Sequence, residues 1–283
     1  MTTDLAARLK YSIAHARHAR RREPAGSPIV VFSMAKTGSS AIAAALRAAN
    51  AGAVHHVHDL DPEFLAREEA EYRWGGRPWR IWDAQRLLRR PPTVDAPWRV
   101  VSIVRDPIAQ TMSAFFQPGS RRGYLHPTAT VASLQARFGD RLDHLPLRWF
   151  GTHVQPTLGI DVYATPFERE LGYQIMTTPM VRLLLLRCED LAVAPAALAE
   201  LLGRDEPIDV PRVNVGADKD YAELYEAFRV AVRPDKAQLD RAYGSRLVQH
   251  FYSNDEIARF HALWSENGPD STDPAPIDGE VAR

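Results

Sequence analysis

"PIVVFSMAKTGSSAIAAALRAA", Pro28–Ala49, passes from a short apolar run through a loop of small residues carrying one lysine into alanine-rich sequence with helical spacing. The order is strand, loop, helix. A helix start leaves its first N–H groups without intrahelical partners and carries partial positive charge. With Gly38, Ser39 and Ser40 at that start, the stretch Lys36–Ser40 is expected to bind an anion, phosphate first. The triphosphate-binding form of such a loop has its lysine after the last glycine, followed by a Ser or Thr that holds Mg²⁺. Here Lys36 precedes Gly38, so that metal ligand is missing and the lysine sits at the loop entrance.

A second strand, turn and helix reads from "WRVVSIVRDPIAQTMSAFF", Trp98–Phe116. Asp106 is placed to cap the helix and Pro107 to fill its first position. Capping does not account for Arg105 at the strand end or Ser113 eight residues later. An arginine at the C-terminal edge of a central strand projects toward the crevice where open α/β sheets bind ligands, and its planar fork suits phosphate.

Apolar runs of strand length recur at Ile29–Met34, Arg99–Val104, Asp161–Tyr163 and Val181–Arg187, with helical-period segments between and after them. This alternation predicts an α/β fold with a mainly parallel central sheet flanked by helices and a helical C-terminal half. The chain divides into an amphipathic helix over 1–27, one domain over 28–266 and a Pro, Asp, Gly and Ser-rich tail over 267–283 that is expected to be disordered. Residues 117–130 read as a long loop on the ligand face.

The 283 residues are 45% hydrophobic and 25% charged, and 35 Lys and Arg balance 35 Asp and Glu, so no overall field demands nucleic acid. The single cysteine, Cys188, excludes an intrachain disulfide and reads as a core thiol. No apolar run approaches the ~20 residues of a membrane span, and the N-terminus lacks a signal-peptide core, which makes cytoplasmic the default. Oligomeric state leaves no trace in the sequence.

The pair "FSMAKTGSSAI" and "VSIVRDPIAQTMSAFF" resembles the donor-binding signatures of the sulfotransferase superfamily, which use 3′-phosphoadenosine 5′-phosphosulfate. That resemblance implies a P-loop-like sulfotransferase fold. It also implies 5′-phosphosulfate binding by Lys36, Thr37, Gly38, Ser39 and Ser40, and 3′-phosphate binding by Arg105 and Ser113, with no metal. The segments "HHVHDLDPE", "GIDVYATPFERELGY", "LLLLRCEDL", "NVGADKDYAELYEAF" and "HFYSNDEIARFHALW" are similar to a bacterial branch labelled as capsular polysaccharide synthesis proteins. The implied partners are a nucleotide donor and a hydroxyl acceptor on a glycan or small metabolite.

Lys36 is expected to stabilise charge on the departing bisphosphate. A base for the acceptor hydroxyl is sought among His55, His56 and His58, since neutral imidazole suits that work near neutral pH. Alternation along a strand points His56 and His58 one way and His55 the other; His58 is the first choice and His56 the second. In "RCEDL", Asp190 is expected to cap the following helix and Glu189 to order nearby loops. Lys219 reads as a solvated lysine or a donor contact, and Trp74, Trp79, Trp82 and Trp98 read as core or an acceptor pocket. Two other functions stay open: a Mg²⁺-dependent nucleotide phosphotransferase with an aberrant loop, and a non-catalytic nucleotide-binding protein of polysaccharide assembly.

Overall fold

The computed structural model describes residues 11–18, 20, 26–72, 79–116, 130–211 and 222–265. Five strands form one sheet: β1 (Ile29–Phe32), β2 (Val54–Val57), β3 (Trp98–Val104), β4 (Tyr173–Thr177) and β5 (Val181–Arg187). Their order is β2-β1-β3-β5-β4, parallel throughout except for the antiparallel edge pair β4 and β5. The predicted α/β class with a mostly parallel sheet is what the chain adopts.

Both faces of the sheet are covered, which is why β1 reads as an unbroken apolar run and β3 and β5 as mostly apolar ones. Ile29, Val31, Val101, Ile103, Leu184 and Leu186 pack under α2 (Ser39–Ala48) and α8 (Ala194–Leu202). Val30, Phe32, Val100, Val104, Leu183 and Leu185 face the larger layer. That layer holds α4 (Trp79–Leu88), α5 (Pro107–Phe115), α6 (Val131–Leu142) and the short α7 (Gln155–Leu158), and the C-terminal helices α9 (Ala222–Ala231), α10 (Lys236–Tyr243), α11 (Arg246–Phe251) and α12 (Asn254–Trp264). Helix α3 (Pro62–Tyr72) flanks α4, and residues 11–18, here α1, lie across both. The Tyr11 hydroxyl donates to Glu69 at 2.6 Å and accepts from the Trp82 indole at 3.2 Å, so this described part of the N-terminal helix is packed onto the fold.

Two local expectations are corrected. Asp161–Tyr163 is not a strand: the Asp161 carboxylate accepts the Tyr163 N–H at 3.0 Å and turns the chain into one tight helical turn, Val162–Ala164. The fifth strand is instead β4, which the sequence reading passed over. Asp190 does not cap α8 either; that helix starts after Val193 without a side-chain cap, and Asp190 pairs with Arg187. Trp98 and Trp82 are buried in packing. Trp74, the Trp79 side chain, Lys219, residues 117–129 and the tail 267–283 lie outside the described residues. Among the described residues no helix is long and apolar enough to cross a membrane.

Candidate functional site

The chain leaves β1 for β2 on one side and returns to β3 on the other, so the C-terminal ends of β1 and β3 part at the point where open parallel sheets bind ligands. Both sequence motifs arrive there. The loop after β1 enters α2 through Gly38, whose φ of 81° is left-handed and whose missing side chain is needed: a Cβ would stand 2.7 Å from Leu191 Cδ1. Lys36 also has a positive φ, 68°, which only Asn50 shares among the described non-glycine residues. A lysine held there stores backbone strain, and such strain persists where the surroundings enforce it.

The enforcing contacts come from the second motif. Arg105, buried at the end of β3, donates to the Lys36 carbonyl at 3.1 Å, and Gln110 of α5 donates to the Ala35 carbonyl at 2.7 Å. These two bonds turn the carbonyls of residues 35 and 36 toward β3 and α5. Thr37 is fully buried, and its hydroxyl lies 2.9 Å from the Met34 carbonyl and 2.8 Å from Ser33 Oγ. Its side chain therefore shapes the loop, and only its backbone is offered to a ligand. Ser40 is half-buried at the second position of α2. Ser113 is half-buried one turn beyond Gln110, which brings it to the same side of α5 as the loop contact.

The histidines divide as alternation predicts. His55 lies on the opposite sheet face from His56, 3.8 Å from the Asp83 carboxylate of α4. His56 and His58 stand edge to face with ring centres 4.9 Å apart. His56 Nε2 is 3.0 Å from Ser39 Oγ, and burial, aided by the neighbouring His58, lowers its pKa to about 2. His58 Nδ1 is 2.7 Å from the Ser33 carbonyl and its Nε2 is 2.6 Å from Arg80 Nη1. Burial, then the Arg80 charge, lower its pKa to about 4. Both rings are thus neutral at physiological pH.

Sequence reasoning missed Ser33, Gln110 and Arg80, and underrated Asp106 and Glu189. Asp106 caps α5 as expected, accepting the Ile108 N–H at 3.1 Å, and also receives the Tyr243 hydroxyl at 3.2 Å and the Trp264 indole at 3.0 Å. Glu189 accepts the Asp106 N–H at 2.8 Å and the Tyr252 hydroxyl at 2.8 Å. Burial raises the pKa of both carboxyls. These acids tie the ends of β3 and β5 to the C-terminal helices. Among the described residues no group of three or more His, Cys, Asp or Glu side chains is placed to hold a metal ion.

A protein-family model described as "Putative capsular polysaccharide synthesis protein" matches residues 128–253. The match is less than half of the chain, running from just before α6 to just past α11, and it excludes Lys36, His58, Arg105 and Ser113. No curated protein and no solved structure matches the chain.

Proposed function

We propose that this protein is a sulfotransferase that takes the sulfuryl group of 3′-phosphoadenosine 5′-phosphosulfate to a hydroxyl of a glycan or small metabolite. The observation that carries this reading is the convergence of Arg105 on the Lys36 carbonyl at the parting of β1 and β3. One guanidinium holds the loop in its left-handed shape, and the proposal gives the same residue the second phosphate of the nucleotide. The matched family description, which concerns capsular polysaccharide synthesis, agrees with a glycan acceptor.

The residues present fit such a donor. The N–H groups at the start of α2 face the 5′-phosphosulfate, and Arg105 with Ser113 face the 3′-phosphate. In the transfer, the acceptor oxygen bonds to sulfur as the bond from sulfur to the 5′-phosphate oxygen breaks, and the electron pair stays on the departing bisphosphate. Lys36 and the loop N–H groups stabilise that charge. The acceptor proton passes to Nε2 of His58, whose Nδ1 already bears a hydrogen. Such a reaction needs positioning and charge stabilisation more than covalent help.

A Mg²⁺-dependent phosphotransferase would need a strand-end carboxylate turned to a metal. Here the carboxylates at the ends of β3 and β5 are taken up by Tyr243, Trp264, Tyr252 and backbone N–H groups, which supports the metal-free reading. The test is calorimetry with adenosine 3′,5′-bisphosphate in EDTA beside adenosine triphosphate with Mg²⁺. Binding without metal is expected, weakened in Arg105→Ala by ~1.5–3 kcal/mol, the worth of a hydrogen bond to a charged group. A response to triphosphate and Mg²⁺ alone would overturn the proposal.

A further inference from the structure

His58 has no idle ring nitrogen, and its two partners define its chemical state. The Ser33 carbonyl, 2.7 Å from Nδ1, can only accept, so Nδ1 carries the hydrogen. The Arg80 guanidinium, 2.6 Å from Nε2, can only donate, so Nε2 carries the lone pair. The ring is a neutral base whose basic nitrogen is covered. Ser33 also touches Thr37 through its hydroxyl, so His58 stands two hydrogen bonds from the anion-binding loop.

We propose that Arg80 is a positioning residue that keeps His58 neutral with its lone pair on Nε2, and masks that lone pair until an anionic group in the crevice draws the guanidinium away. The inference rests on His58 being the base of the proposed transfer. A guanidinium binds phosphate or sulfate oxygens by paired, charge-assisted hydrogen bonds, which are stronger than a hydrogen bond to a neutral imidazole. An arriving donor thereby exposes the base, and without one the base stays covered.

The electrostatics around the ring agree with this. The charged and titratable groups near His58 are Arg80 from α4, His56 on the same strand and Asp59 next in the chain, while Arg47 from α2 acts on both His56 and Arg80. Asp59 is itself 3.5 Å from His153 Nε2. Arg80 lowers the basicity of His58 and Asp59 raises it, with Arg80 the larger of the two. Taking Arg80 away should therefore leave His58 a stronger base.

Long-range ¹H–¹⁵N correlation spectra of the ¹⁵N-histidine-labelled protein test this directly. The expected wild-type His58 is the Nδ1–H tautomer with a titration midpoint near 4. In Arg80→Met that midpoint should rise by about one pH unit or more, with Arg80→Lys between the two. Addition of adenosine 3′,5′-bisphosphate to the wild type should move the His58 Nε2 resonance toward its position in Arg80→Met. An Nε2–H tautomer in the wild type would overturn the proposal without recourse to any variant, as would an unchanged midpoint in Arg80→Met. If calorimetry finds no bisphosphate binding, the donor reading falls by itself, since tautomer and midpoint are read in the protein without ligand.

Discussion

Beside β1 and β2 the ionisable groups that meet one another are His56, His58 and Arg80; beside β3 and β5 the carboxyls Asp106 and Glu189 stand among the cations Arg105 and Arg187. The bases take their partners from the loop after β1, from the first turn of α2 and from α4, all of which border the crevice. The acids take theirs from Tyr243, Tyr252 and Trp264 in the C-terminal helical layer. The first set is therefore bonded to the loop after β1, to α2 and to α4, and the two carboxyls are bonded to the C-terminal helices.

The contrast is broken most severely on the side of β3 and β5. Arg187 ends β5 buried against Asp190, Glu256 and the carbonyls of Phe251 and Arg169. Arg187→Met leaves those acceptors without their cation and should cost about 3–5 kcal/mol, read as a lower denaturant midpoint. A loss below about 1 kcal/mol would mean that this side does not depend on its buried cation. Beside β1 and β2 a substitution is expected to do the reverse. Lys36→Gly releases a side chain from a left-handed backbone and should raise folding stability by about 1 kcal/mol. On the proposed transfer the same change also removes the charge assigned to the leaving group and should depress turnover by ~10². Loss of stability together with turnover would show that Lys36 is a structural residue.

The same contrast can be read in pH. His56 and His58 have pKa values lowered by burial to about 2 and about 4, below the ordinary 6.5, so as pH falls below about 6.5 the unfolded chain takes up protons first and their edge loses stability, down to about pH 4 for His58 and about pH 2 for His56. The carboxyls of Asp106 and Glu189 are raised, so there the fold takes up protons first and acid relieves a cost. Amide protection in β2 should accordingly fall relative to α10–α12 between pH 7 and 5. Parallel changes in the two regions would remove the contrast.

What could be read from the chain follows the physics of each element. β1, β3 and β5 are covered on both faces, and their apolar runs say so. β4, "YQIMT", is an antiparallel edge strand, only partly buried and mixed in polarity, and such a strand carries little signal. Lys36, Gly38 and Arg105 stand out in the sequence because each follows an apolar strand within a few residues. Arg80 was not found, since it meets His58 across 22 residues and through the order of strands in the sheet. Asp106 and Glu189 are 83 residues apart and become neighbours only because β3 and β5 pair. Ser33 looks like any small polar residue at a strand end until its three contacts are seen.

Those contacts of Ser33 have a geometric consequence. The backbone pairing of β1 with β3 ends at Val31 and Val101, and one hydroxyl continues it, accepting the Ile103 N–H at 3.2 Å and lying 3.0 Å from the Ile103 carbonyl. It acts as a spacer between two diverging strands. The gap into which a nucleotide would lower its phosphates is thus gauged by a single oxygen atom. A longer side chain at position 33 would pry the strands apart, and a shorter one would let them spring.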